Sequence, residues 1–112
     1  MKTKGWIAVD LDGTLAKDVN VKGDNIGAPI PKMVDRVKSW LKEGKDVRIF
    51  TARASHPDSG TIPAIHKWCQ KHIGRILLVT DRKDQFMTAL YDDRAYHVEH
   101  DTGDTANDTD ND

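Results

Sequence analysis

At 112 residues the chain has room for one hydrophobic core and not for a second domain. Its single cysteine, Cys69, excludes an internal disulfide framework and a cysteine-based zinc site, and no apolar run nears membrane-spanning length. The net charge of −1 hides a split, because residues 101–112 carry five Asp and no Lys or Arg, leaving residues 1–100 with 17 basic and 13 acidic residues, net +4. We therefore divide the chain into a folded body, 1–100, and an acidic tail, 101–112, whose lack of large apolar residues predicts disorder. The opening Met-Lys-Thr-Lys-Gly lacks the apolar region of a secretory signal, and the expected compartment is the cytoplasm.

In chain order, Trp6 to Val9 is a continuous apolar run that predicts a short strand buried on both faces of a parallel sheet. It stops at Asp10, and Asp12, Gly13 and Thr14 follow, with Gly13 permitting a sharp turn. Residues 16–29 are polar and without period, a long loop of the kind that often serves as a lid or binding segment. A helix is expected from Pro31 to a stop at Gly44, with Met33, Val34, Val37, Trp40 and Leu41 on its buried face. Val47–Thr51 is the second strand, followed by Ala52 and Arg53 and a loop over 55–60. A second helix is expected over 62–72, N-capped by Thr61, burying Ile62, Ile65, Cys69 and Ile73. Cys69 on that face reads as an inert apolar residue. Strands are then expected at 75–79 and 89–91, with a short final strand over 96–99.

Strand, helix, strand, helix, strand is the alternation of an α/β domain with a parallel sheet. The link from Thr80 to Thr88 is lean for a parallel crossover. Nine extended residues reach roughly 30 Å, against a diagonal of about 22 Å across three strand spacings and one strand length. The link therefore holds about one helical turn at most.

Four polar groups fall at carboxyl ends of strands, the rim where open α/β sheets bind ligands: Asp10 with Asp12, Thr51 with Arg53, Lys83, and Asp92 with Asp93. Clustered carboxylates bind a hard divalent ion such as Mg²⁺, which neutralises the charge of a phosphate monoester toward in-line attack. On this logic Asp10 is the nucleophile, and Asp12 is the group that protonates the leaving oxygen and then activates water. Thr51, Arg53 and Lys83 hold the phosphoryl oxygens, and Asp10, Asp12, Asp92 and Asp93 form the metal site.

The string from Trp6 to Leu15, an apolar strand followed by Asp-x-Asp-Gly-Thr, resembles motif one of the haloacid dehalogenase-like (HAD) phosphohydrolases. The four groups in order resemble the four motifs of that family over residues 6–98. The resemblance implies a three-layer Rossmann-like domain with a central parallel sheet and no separate cap domain. It also implies a Mg²⁺-dependent phosphatase that forms an aspartyl-phosphate. More narrowly, Asp-Gly-Thr-Leu-Ala-Lys, Thr-Ala-Arg, Arg-Lys-Asp and Asp-Asp-Arg are similar to the phosphatase domain of phage-type polynucleotide kinase–phosphatases. That would make Arg53 a phosphate ligand and a nucleic acid 3′-phosphate end the substrate, beside the broader classes of nucleotide and phosphorylated small molecule. The kinase signature Gly-x-x-x-x-Gly-Lys-Ser/Thr is absent. Two other readings stay open. One is a phosphate-accepting receiver domain with Asp81, after the third strand, as acceptor. The other is a metal- and phosphate-binding module without turnover. His56, His66, His72, His97 and His100 show no metal-ligand spacing and read as surface residues. An uncapped site admits large substrates or is covered by another subunit, and the oligomeric state is left open.

Overall fold

The computed structural model describes residues 5–19 and 25–106. Strands β1 (Trp6–Val9), β2 (Asp46–Phe50), β3 (Val79–Thr80) and β4 (Met87–Tyr91) form a sheet of order β3-β2-β1-β4 in which every pairing is parallel. Helices α1 (Pro31–Lys42) and α2 (Thr61–His72) connect β1 to β2 and β2 to β3. This is a Rossmann-like α/β architecture, and no cap domain is evident among the described residues. No helix among the described residues is long and apolar enough to cross a membrane.

Both helical crossovers step in the same direction along the sheet, and right-handed connections then put both helices on one face. The core agrees: Val9, Val47 and Ile49 from the strands meet Val34 and Val37 of α1 and Ile65 and Cys69 of α2 in a single cluster. Pro31 starts α1, where its missing N–H is no loss. Burial pushes the Cys69 thiol up to about 11, consistent with an inert apolar residue. The buried face of α2 also includes Trp68, whose indole N–H donates to the Gly27 carbonyl at 2.9 Å. Thr61 is the first residue of α2 rather than its cap. Gly60 is the N-cap and brings no capping side chain, while Asp58, just before the helix, accepts from the Gly60 N–H at 2.9 Å and from the Thr61 hydroxyl at 3.0 Å.

The loop after β1 is better ordered at its stems than its composition predicts. Lys17 donates to the Ala28 carbonyl and Ile30 to the Leu15 carbonyl, both at 2.8 Å, and Ala16 bridges Pro29 antiparallel. The stems approach so closely that a Cβ on Gly27 would collide with the Lys17 carbonyl.

The return from β3 to β4 crosses the face without helices. Residues 81–86 make this crossing without a helix, within the limit of one helical turn set by the reach of the chain. Trp6 points toward that face and holds the link: its indole donates to Asp84 Oδ1, and its backbone N–H to the Phe86 carbonyl, each at 2.9 Å. Arg48, held by Asp46, lies 4.6 Å above the indole ring. The outer layer is thus one segment thick, and Leu78, Phe86 and Leu90 stay partly exposed.

Two strand expectations shift. The third strand is shorter than expected, Val79–Thr80, although the Ile49 N–H also donates to the Leu78 carbonyl at 2.9 Å and Leu77 is buried in the core. Residues 96–99 form no strand; Val98 makes one antiparallel bridge to Thr105, and Glu99 N–H donates to the Asp104 carbonyl at 2.8 Å. Of the acidic stretch, residues 101–106 are described and carry this turn, while 107–112 lie outside the described residues.

Replacing Trp6 by Phe keeps an aromatic side chain but removes the Asp84 bond and part of a buried ring. We expect Asp84→Ala to cost about 1–2 kcal/mol in urea unfolding and Trp6→Phe about 2–3 kcal/mol, with the double variant falling short of their sum by about 1 kcal/mol.

Candidate functional site

A parallel sheet gathers the carboxyl ends of its strands along one edge. Val9 pairs with Tyr91, and the Asp10 N–H donates to the Tyr91 carbonyl at 2.9 Å, so Asp10 and Asp92 leave adjacent strand tips side by side. Carboxylate oxygens of Asp10, Asp92 and Asp93 all lie within 4.8 Å of one another. Burial, foremost, then the charge of Asp92 and a hydrogen bond with Asp93 push the Asp10 carboxyl up to about 7.

Thr14 and Gly13 hold Asp93 in place. The Thr14 hydroxyl donates to Asp93 Oδ1 at 3.1 Å and accepts from the Asp93 N–H at 3.0 Å. Gly13 has a φ of +89°, and a Cβ there would sit 2.7–2.9 Å from the atoms of the Asp93 carboxylate. Both the turn and the close approach require glycine. The Arg94 N–H donates to Asp92 Oδ1 at 2.8 Å.

Asp12 departs from its expected place in the metal site. Its oxygens face Arg53, whose Nε and Nη2 each lie 2.8 Å from one of them. Arg53 Nη2 also donates to the Asn25 carbonyl at 2.8 Å, and its backbone N–H to the Thr51 hydroxyl at 3.2 Å. Thr51 is buried at the start of the 3₁₀ turn Ala52–Ala54 that aims Arg53.

These residues border an open cleft of about 960 Å³. Asp10, Asp12, Thr51, Arg53 and Asp92 all line it, while Asp93 joins through the carboxylate cluster. Lys83 does not line the cleft. It sits exposed on the 81–86 link, which leaves the rim at once to reach the opposite end of the sheet. Arg94 lines the cleft and was missed as a ligand, although it directly follows the Asp-Asp pair. Asp18, Asp58, Asp81 and His56 also reach the cleft, so six aspartates face two arginines there. The net positive charge of the body is therefore not concentrated at this rim.

The three clustered carboxylates supply only hard oxygen donors, and no ion pair engages them among the described residues. That donor set fits Mg²⁺ or a similar hard divalent ion.

Comparison with known proteins bears on the fold. The chain is similar to a solved structure from Bacteroides thetaiotaomicron described as a conserved protein coded by locus, at 21% identity and a TM-score of 0.59, covering 83% of this chain and 78% of that one. No family model and no curated protein matches the chain.

The raised Asp10 carboxyl makes stability depend on pH. The folded state holds this proton more tightly than the unfolded state, whose carboxyl titrates near 3.8. The associated stabilisation is complete below about pH 4 and is lost as pH rises through about 7. In EDTA, urea midpoints should fall between pH 5 and pH 8, and Asp10→Asn should flatten that fall.

Proposed function

We propose that this chain is a divalent-metal-dependent phosphomonoesterase of the HAD kind, with Asp10 as nucleophile. The observation that carries the reading is Asp10 at the tip of β1, within 4.8 Å of the Asp92 and Asp93 carboxylates and in one cleft with Asp12 and Arg53. Asp10, Asp92 and Asp93 would hold the metal ion, which when bound neutralises the phosphate charge that otherwise repels an anionic nucleophile. A carboxylate oxygen of Asp10 attacks phosphorus, the ester P–O bond breaks, and the leaving oxygen takes a proton from Asp12. Water then attacks the aspartyl-phosphate while Asp12 takes back a proton, releasing inorganic phosphate and restoring Asp10. Arg53, Arg94 and the Thr51 hydroxyl are the cleft groups suited to phosphoryl oxygens. Lys83 has no part in this reading.

The cleft walls favour a small monoester over a nucleic acid end. A phosphodiester backbone would meet Asp18, Asp58 and Asp81 outside the reacting group. A second reading, a receiver accepting phosphate on Asp81, draws on the presence of Asp81 in the same cleft.

Hydrolysis of nitrophenyl phosphate should require Mg²⁺ and stop in EDTA. Asp10→Asn should lose essentially all turnover, and Asp12→Asn should slow it by about 10²–10⁴-fold. A wild-type rate in Asp10→Asn would defeat the nucleophile assignment, and loss of phosphorylation in Asp81→Asn alone would favour the receiver. An oligonucleotide 3′-phosphate should show the lower kcat/KM of the two substrate types.

A further inference from the structure

The ion pair between Asp12 and Arg53 stands in the way of the proposed chemistry. Both oxygens of the acid–base group are engaged, each 2.8 Å from a guanidinium nitrogen. The pair is shielded, with only 17% of the Arg53 side chain and 27% of the Asp12 side chain exposed. A two-pronged, half-dry pair of this kind holds more firmly than one in open water. A guanidinium fork fits two groups equally well in shape, a carboxylate and a phosphoryl group. Asp12 and Arg53 both border the cleft next to Asp10, where a phosphoryl group about to be attacked has to sit.

We propose, building on the phosphatase reading, that Arg53 exchanges partners: it holds Asp12 in the free protein and phosphoryl oxygens in the loaded one. When the fork turns to the phosphoryl group, the Asp12 carboxyl is released for proton transfer. Acid–base help is then present only while a phosphoryl group fills the cleft. The same exchange makes Asp12 a competitor of phosphate, because it occupies the group that phosphate needs. By linkage, the ligand's apparent affinity is reduced by the stability of the pair it must displace. Loss of Asp12 therefore strengthens phosphate binding even as it slows catalysis.

The test is calorimetric titration of inorganic phosphate into the Mg²⁺-loaded full chain, a readout independent of turnover. The forms compared are wild type, Asp12→Asn, Arg53→Gln and the double variant, with Asp81→Asn as a control that removes one negative charge from the same cleft. Asp12→Asn should tighten phosphate binding about tenfold, and Asp81→Asn about twofold. In the Arg53→Gln background, Asp12→Asn should do no more than the control. If Arg53→Gln does not fold, Arg53→Lys, which keeps the charge and loses the fork, takes its place with the same expectation of a reduced gain. An equal gain with and without Arg53, or weaker binding in Asp12→Asn, overturns the exchange and leaves the phosphatase reading intact. No phosphate binding in any form, at saturating Mg²⁺, overturns both.

Discussion

With β2 on one side and β4 on the other, β1 has no free hydrogen-bonding edge, and its direction decides where Asp10 comes to rest. The Asp10 N–H bond to the Tyr91 carbonyl continues the ladder by one residue beyond the strand, so two chain segments far apart in sequence end at the same height. The two carboxylates that follow have no choice but to meet. The rest of the rim is built outward from that junction. Thr14 and Gly13 fix Asp93 from the β1 side, and the turn after β2 brings Arg53 across to Asp12.

The arrangement gathers like charge at one strand tip, at a cost to stability. Three carboxylates in mutual contact raise the cost of ionising Asp10, which is already penalised by burial. Hydrogen bonds from Thr14 and from the Arg94 backbone offset part of that cost at Asp93 and Asp92. Asp12 is relieved differently, by a full counter-charge from Arg53. Two neighbouring acids two residues apart therefore live in opposite electrostatic settings. One is crowded by like charge, and the other is paired.

The strand tips were legible in the sequence because apolar runs end abruptly at polar residues. The run Trp6–Val9 and the amphipathic pattern of α1 place Asp10 and Asp12 without any long-range information. The reach of the third link was also readable, since it depends only on chain length and strand spacing. What sequence did not reveal was direction within the rim. Nothing local distinguishes an Asp12 carboxylate turned to a metal from one turned to Arg53, because the partner is 41 residues away. Lys83 lies outside the cleft for a related reason: proximity to a strand end does not fix the path of a link that leaves the rim immediately. Trp68 follows Ile65 by three positions and so shares its buried face, and only its indole bond to the Gly27 carbonyl, 41 residues away, lay beyond local pattern.

The long separations have a bearing on how the chain folds. Trp6 reaches Asp84 across 78 positions, and Thr14 reaches Asp93 across 79. Closing loops of that size costs entropy before any contact repays it, so the last strand is expected to dock late. Until it does, β1 has one bare edge and Asp10 has neither Asp92 nor Asp93 beside it. An incomplete or partly opened chain therefore presents these carboxylates apart from one another and well hydrated. The carboxylate cluster therefore belongs to the closed chain, and it comes into being when the final strand docks against the first.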